Sequence, residues 1–185
     1  MGAKNLSEAV DHMDKALKAL AHEFASVRTG RASGSLLEKI VIEYYGTPTP
    51  LLQIASVSVP EAQMLVISPY DKTALGAIEK AIQASDLGLN PGNDGQVIRL
   101  PFPPLTEERR KDLAKLCRTY AEESRVAVRN IRRDVNDHLK KEEKDAEISQ
   151  DELRRFEAEV QKATDSHIKE IDEMLKRKEL EIMEV

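Results

Sequence analysis

Apolar residues recur by threes and fours from the start of the chain: Leu6, Val10, Met13, Leu17, Leu20, Phe24 and Val27. That rhythm lays a single seam along one helix. Thr29 and Gly30 follow, and glycine suits the left-handed position past a helix end, so the spacing predicts a helix from about residue 5 to about residue 28. The texture then changes. "KIVIEYYG" is β-branched and aromatic, bounded by Gly46, Pro48 and Pro50, and reads as a strand. "LLQIASVSV" alternates apolar and small polar residues up to Pro60, and "QMLVIS" and "QVIRLPF" read as further strands. Leu75, Ile78 and Ile82 return to helical spacing, with Gly88 just beyond. "GTPTP" and "NPGNDG" have the composition of turns.

A second change comes at "PFPPLTEERR". Pro103 and Pro104 oppose helix before them, Thr106 is a good N-cap, and Glu107 and Glu108 suit the positive end of a helix dipole. The threes-and-fours pattern resumes at Leu113, Cys117, Ala121, Ser124, Val128, Ile131, Val135 and Leu139, without Pro or Gly. One helix from about 107 to 145 is expected, roughly 55–60 Å long. Ser149 and Glu152 form a capping box that starts a third helix, with its seam at Leu153, Phe156, Val160, Ala163, His167, Ile171 and Met174.

Three seamed helices bury their stripes against one another. The expected fold is therefore α+β: a long antiparallel three-helix bundle formed by residues 1–30 and 105–185, with a small β/α/β domain, residues 31–104, inserted between its first and second helices. Thr29, Gly30, Gly34, Pro103 and Pro104 fall in the two linkers and are the expected hinge.

Composition fits long amphipathic helices: 33% of residues are charged, 4% are aromatic and none is Trp. The single cysteine, Cys117, excludes an internal disulfide and reads as a small buried residue. No window approaches the roughly 20 apolar residues of a membrane span, and the N-terminus lacks a signal-peptide core, so a soluble, cytoplasmic protein is expected.

The charge is segregated. Net charge is −5, yet residues 109–133 hold nine Lys or Arg against three Asp or Glu, while residues 140–185 hold ten against fifteen. With Val128 at zero on a helical wheel, Arg132 falls at about 40°, Arg125 at about 60°, Arg118 at about 80°, Arg129 and Lys111 at about 100°, and Arg133 at about 140°. The basic residues form a stripe on the shoulder of the apolar seam. One reading is a solvated face, with Glu122 and acids on the other helices absorbing the charge. The other is a phosphate-binding ridge, since arginine grips phosphate with a planar fork. Arg28 and Arg31 lie at the end of the first helix, and Arg110 at the start of the second.

Catalytic chemistry is missing from the pattern. There is no Gly-rich Lys loop, and His12, His22, His138 and His167 lack zinc-type spacing. Glu142 and Glu143 read as a solvated acidic pair. No catalytic residue, metal or cofactor is expected. A coiled-coil adaptor is disfavoured by the arginine shoulder, and an enzyme built on the α/β domain by the absence of site residues.

Five segments in order, "RTGRAS", "EYYGTPTPL", "ASDLGLNP", "PPLTEERRKDL" and "RVAVRNIRRD", resemble the bacterial ribosome recycling factor family along the whole chain. The resemblance implies a two-domain L shape close to the outline of tRNA. It implies a monomer that binds the post-termination ribosome between the subunits and, with elongation factor G and GTP, splits them for another round of protein synthesis while itself hydrolysing nothing. By position it makes Arg129 and Arg132 the main rRNA contacts, with Arg28, Arg31, Arg110 and Arg133 in support. The bundle would meet large-subunit rRNA, and the inserted domain the small subunit and elongation factor G. Two residues depart from the family pattern: Gly34, commonly Pro, and Tyr70, commonly Trp.

Overall fold

The computed structural model describes residues 2–184. In chain order the elements are α1 (Gly2–Ala25), a 3-10 turn (Gly34–Leu37), β1 (Val41–Tyr44), β2 (Thr47–Pro50), α2 (Leu51–Ile54), β3 (Ala55–Glu61), β4 (Met64–Pro69), a 3-10 turn (Lys72–Ala74), α3 (Leu75–Ala84), β5 (Gly92–Asn93), β6 (Ile98–Pro101), α4 (Glu107–Lys144) and α5 (Gln150–Met183). They form two compact units. One comprises the chain up to Phe24 with Ala114–Leu180; the other comprises Ala25–Leu113 with the residues from Glu181 onward.

The first unit is a helix bundle. Arg118 reaches Glu179, Arg125 reaches Asp172 and Arg132 reaches Gln161, so α4 and α5 run antiparallel. Asn5 meets Glu142 and Asp14 meets His167, which sets α1 antiparallel to α4 and parallel to α5. The seams close on Met13, Leu17, Leu20 and Phe24 of α1, Cys117, Ala121, Val128 and Leu139 of α4, and Phe156, Val160 and Ile171 of α5, all buried. Near its start the α1 stripe is displaced by one residue: Ala9 and Gly2 are buried, and Leu6 and Val10 only half-buried. Gly2 allows this approach, because a Cβ there would lie 2.3 Å from Phe156 Cε2.

Helix α4 ends in a Schellman motif. Glu147 N–H donates to Glu142 O and Ala146 N–H to Glu143 O, with Ala146 left-handed at φ 60°. The capping box at α5 is present as expected: Ser149 N–H donates to Glu152 Oε2 at 2.8 Å, and Glu152 N–H to Ser149 Oγ at 3.1 Å. Glu142 departs from the solvated reading. It is half-buried and accepts a hydrogen bond from Asn5 Nδ2 at 2.6 Å.

The second unit holds two antiparallel sheets, β1-β2 and β3-β4-β6-β5, sharing one core with α3 through Ile42, Leu65, Ile67, Ile78, Ile82, Ile98 and Leu100. Three local expectations are corrected. Helix α1 stops at Ala25 rather than at about residue 28, and Ser35 Oγ donates to the Ala25 carbonyl that the helix leaves open. "TPTP" is strand β2, not turn. The reversal is confined to Tyr45 and Gly46, left-handed at φ 49° and 75°, as a two-residue hairpin loop requires. "LLQI" is the helical turn α2, not strand; it buries Leu51 completely and carries the chain from one sheet to the other. β3 starts only at Ala55 and runs through Pro60, with a register shift between Ser58 and Glu61. Within "NPGNDG", Asp94 builds the turn by accepting the N–H groups of Val97 and Gln96. Those bonds, with Arg99, hold its carboxyl down at about 2.

Candidate nucleic-acid interface

Thr106 caps α4 through its hydroxyl, which accepts Arg109 N–H at 3.1 Å, and the helix then runs unbroken to Lys144. Three arginines of the bundle unit, Arg118, Arg125 and Arg132, are spaced by seven residues, so they recur on one side of α4. Acids on α5 recur at the same interval: Asp165, Asp172 and Glu179. The first two arginines are neutralised across the helix pair. Arg118 Nε lies 2.7 Å from Glu179 Oε1. Arg125 reaches Asp172 Oδ1 with Nε at 2.9 Å and Nη2 at 2.6 Å, and Glu122 with Nη1 at 3.0 Å. Burial opposes the Arg125 charge, but its hydrogen bonds to Asp172 and Glu122 outweigh that and raise its pKa above the ordinary arginine value.

The third rung is different. Arg132 Nη1 meets the amide oxygen of Gln161 at 3.4 Å, while the amide nitrogen of Gln161 holds Asp165 at 2.8 Å. The carboxylate that would neutralise Arg132 is engaged by the glutamine. Arg133 likewise contacts only an amide oxygen, that of Asn130, at 3.5 Å. Arg129 lies 3.5 Å from Glu122, which Arg125 already occupies. Arg125 and Arg129 thus share two carboxylates, Asp172 and Glu122, while among the described residues Arg132 and Arg133 have no carboxylate partner, so the open positive charge of the stripe lies at Arg132 and Arg133, next to Arg129.

The remaining predicted basic residues belong to the other unit. Arg28 is committed inside it: its Nη2 donates to Pro103 O and its guanidinium lies 5.5 Å from the Phe102 ring centre. Burial, and then the charge of Arg109, lower its pKa. Arg31 is exposed and sits 3.8 Å from Glu184. Arg110 Nε is buried without a partner, and Lys111 pairs with Glu107 one turn back at 2.9 Å. Thr29, Gly30 and Pro104 line a cavity of about 550 Å³ together with Arg31 and Arg110. Gly34 opens the 3-10 turn, and Ser33 caps it by accepting Ser35 N–H.

Among the described residues, no group of three His, Cys, Asp or Glu is placed to hold a metal ion, and no helix is long and apolar enough to cross a membrane. His167 packs at the bundle boundary, with Nδ1 2.6 Å from Ala163 O and Nε2 2.7 Å from Asp14. Cys117 is fully buried, and burial pushes its thiol up to about 11. The pairing of Arg125 with Asp172, and the withholding of Asp165 by Gln161, were not read from the sequence. The matched seven-residue spacing on the two helices was the available signal.

Residues 20–183 match the family model described as ribosome recycling factor. The chain belongs to the ribosome recycling factor family. Similar curated relatives are the ribosome-recycling factor of Geobacillus kaustophilus (strain HTA426), 60% identical, and that of Bacillus thuringiensis (strain Al Hakam), 57% identical, each aligned over 185 residues and covering 100% of both chains. A solution structure of ribosome recycling factor aligns with TM-score 0.80 at 44% identity, covering 100% of this chain and 98% of that one. A ribosome recycling factor of T. thermophilus, described with E. coli elongation factor G bound to the E. coli post-termination complex, aligns with TM-score 0.69 at 50% identity over 100% of both chains. Ribosome recycling factor is a translation factor and not itself an enzyme.

Proposed function

We propose that this chain binds the post-termination ribosome at the subunit interface and, with elongation factor G and GTP, splits the subunits. It acts in the cytoplasm as a monomer. Arg129, Arg132 and Arg133 hold phosphates of large-subunit rRNA, with Arg125 and Arg118 extending the stripe, and Lys111, Arg31 and Arg110 of the other unit are rRNA contacts as well. Residues 31–104, inserted between the parts of the bundle domain, meet the small subunit and elongation factor G. Thr29, Gly30, Gly34, Pro103 and Pro104 are the hinge, and Arg28, whose Nη2 donates to Pro103 O, adds to the rRNA contacts.

The observation that supports this reading best is the unequal neutralisation of α4. An acidic protein that masks Arg118 and Arg125 yet leaves the adjacent Arg132 and Arg133 facing only amides presents two guanidinium groups side by side on α4 without a carboxylate, which suits a polyanion. The test is co-sedimentation with isolated large subunits over a series of salt concentrations, alongside light-scattering measurement of subunit splitting with elongation factor G and GTP. Binding should fall linearly in log K against log salt, and Arg132→Ala should lower that slope by about 0.7–1. Failure to pellet at low salt, or a binding constant indifferent to salt, would sink the proposal.

A further inference from the structure

The four outer edges of the two sheets are not equivalent. β2 carries Pro48 and Pro50, and both stand where a backbone N–H would point away from β1. The ladder fixes this parity: the two-residue loop makes Tyr44 and Thr47 a hydrogen-bonded pair, so Ile42 with Thr49 is the next, and Leu51 N–H donating to Ile40 O at 2.9 Å continues the alternation. The outer edge of β2 therefore offers carbonyls and no donors. β3 is broken by the register shift between Ser58 and Glu61 and contains Pro60. β5 is two residues long. Each of these is a device that blunts an edge.

The outer edge of β1 has none of them. The same parity directs the N–H and C=O groups of Val41 and Glu43 away from β2, and neither residue hydrogen-bonds there to any described residue. Val41 is 53% exposed and Glu43 is exposed. Tyr45 stands at the end of this edge, 81% exposed, with its hydroxyl tied to Asp71 at 3.2 Å.

We propose that the outer edge of β1 receives an extended, Lys- or Arg-rich segment of a protein partner on the ribosome as a third strand, an assignment that rests on the ribosome-binding reading. Two donors and two acceptors, from Val41 and Glu43, give the main-chain register. The partner's basic character follows from charge. Glu43 is the ionic side chain exposed on β1, residues 31–104 carry seven Asp or Glu against five Lys or Arg, and the exposed Tyr45 ring can take a cation on its face. A second copy of this chain would bring Glu43 and its equivalent together on one edge, which disfavours self-pairing. The electronegative balance disfavours RNA in the same place.

The experiment uses the full chain with p-benzoyl-phenylalanine incorporated at position 41. It is irradiated on post-termination ribosomes, and the crosslinked species are identified by mass spectrometry. The expected product is a crosslink to a basic, extended protein segment. Adding Glu43→Pro removes an outward N–H without touching the β1-β2 ladder and should lower the yield about fivefold, the loss of one net hydrogen bond, with the melting temperature unchanged. Glu43→Lys, which leaves the backbone alone, should lower it similarly if the proline variant does not fold. Crosslinks only to RNA, only to a second copy of this chain, or none at all on ribosomes that the chain still pellets with, overturn the strand-edge assignment. So does a yield unaffected by both variants. A chain that does not pellet overturns the ribosome reading and this partner with it.

Discussion

Arg125 and Arg132 are seven residues apart on the same side of α4, yet truncating them should have opposite consequences. The Arg125 side chain is 19% exposed and donates twice to Asp172 Oδ1 and once to Glu122. Arg125→Ala removes two ion pairs, with Asp172 and with Glu122, leaves both carboxylates half in water, and changes helix propensity little. A charge-assisted bond is worth about 1.5–3 kcal/mol, and solvent around Asp172 discounts it, so the expected cost is about 1–2 kcal/mol. For a chain of this size that is a fall in melting temperature of about 3–6 °C. Arg132 has a single 3.4 Å contact with Gln161, so Arg132→Ala should stay within about 0.5 kcal/mol of the parent. The assay is thermal and urea unfolding followed by circular dichroism, at low and high salt, beside ribosome pelleting of the same preparations. Salt should shrink the Arg125 deficit. Arg132→Ala should bind ribosomes about 1–3 kcal/mol more weakly while melting like the parent, with exposed Lys18→Ala as the control. If Arg132→Ala is destabilised as much as Arg125→Ala, or binds as tightly as Lys18→Ala, the division of the stripe into masked and open halves is wrong.

Val128→Asp places an unpaired carboxylate at a fully buried seam position and should cost about 3 kcal/mol or more, read as lost ellipticity or a much lower melting temperature. Gly34→Pro should stabilise by about 0.4–1 kcal/mol, since residue 34 is the first position of its 3-10 turn and Ser33 is already extended at φ −146° and ψ 135°; calorimetry showing a loss would refute it. Ala146→Gly should stabilise by about 1 kcal/mol by relieving the left-handed φ at the α4 C-terminus, checked by urea midpoint. The Asp71 carboxyl is held down at about 2 by hydrogen bonds from Thr73 and Tyr44, below its ordinary 3.8. It therefore favours the folded state above pH 3.8 and loses that effect as pH falls toward 2; Asp71→Asn should flatten this limb of an acid-unfolding curve.

The long helices were legible because each carries an uninterrupted seam and its own stop or start: Thr106 and Ser149 cap where their sequence says they should. The hairpin was half legible. "TPTP" has turn composition, but proline is also tolerated on an edge strand, and only the pairing with Val41–Tyr44 decides between the two. "LLQI" failed for a related reason: four apolar-rich residues fit strand alternation and one helical turn equally, and the choice depends on where the chain must go next. For the arginines, the wheel identified the stripe but not which rungs are neutralised. That depends on the register between α4 and α5, which sets Asp172 against Arg125 and leaves Gln161 holding Asp165 beside Arg132. Arg28 shows the same limit, because its guanidinium is taken by Pro103 and Phe102, residues far away in sequence.

The enclosure of Cys117 makes the chain its own unfolding reporter. A single thiol that is fully buried and held at about 11 is almost wholly un-ionised at neutral pH, so alkylating reagents can reach it only when the bundle opens. Pulse labelling in native buffer would then count opening events directly, with no dye or engineered tag and no competing sulfur nucleophile of the same kind. Cysteines introduced on the surface for distance probes would react orders of magnitude faster than Cys117, so the native residue can be left in place while they are labelled.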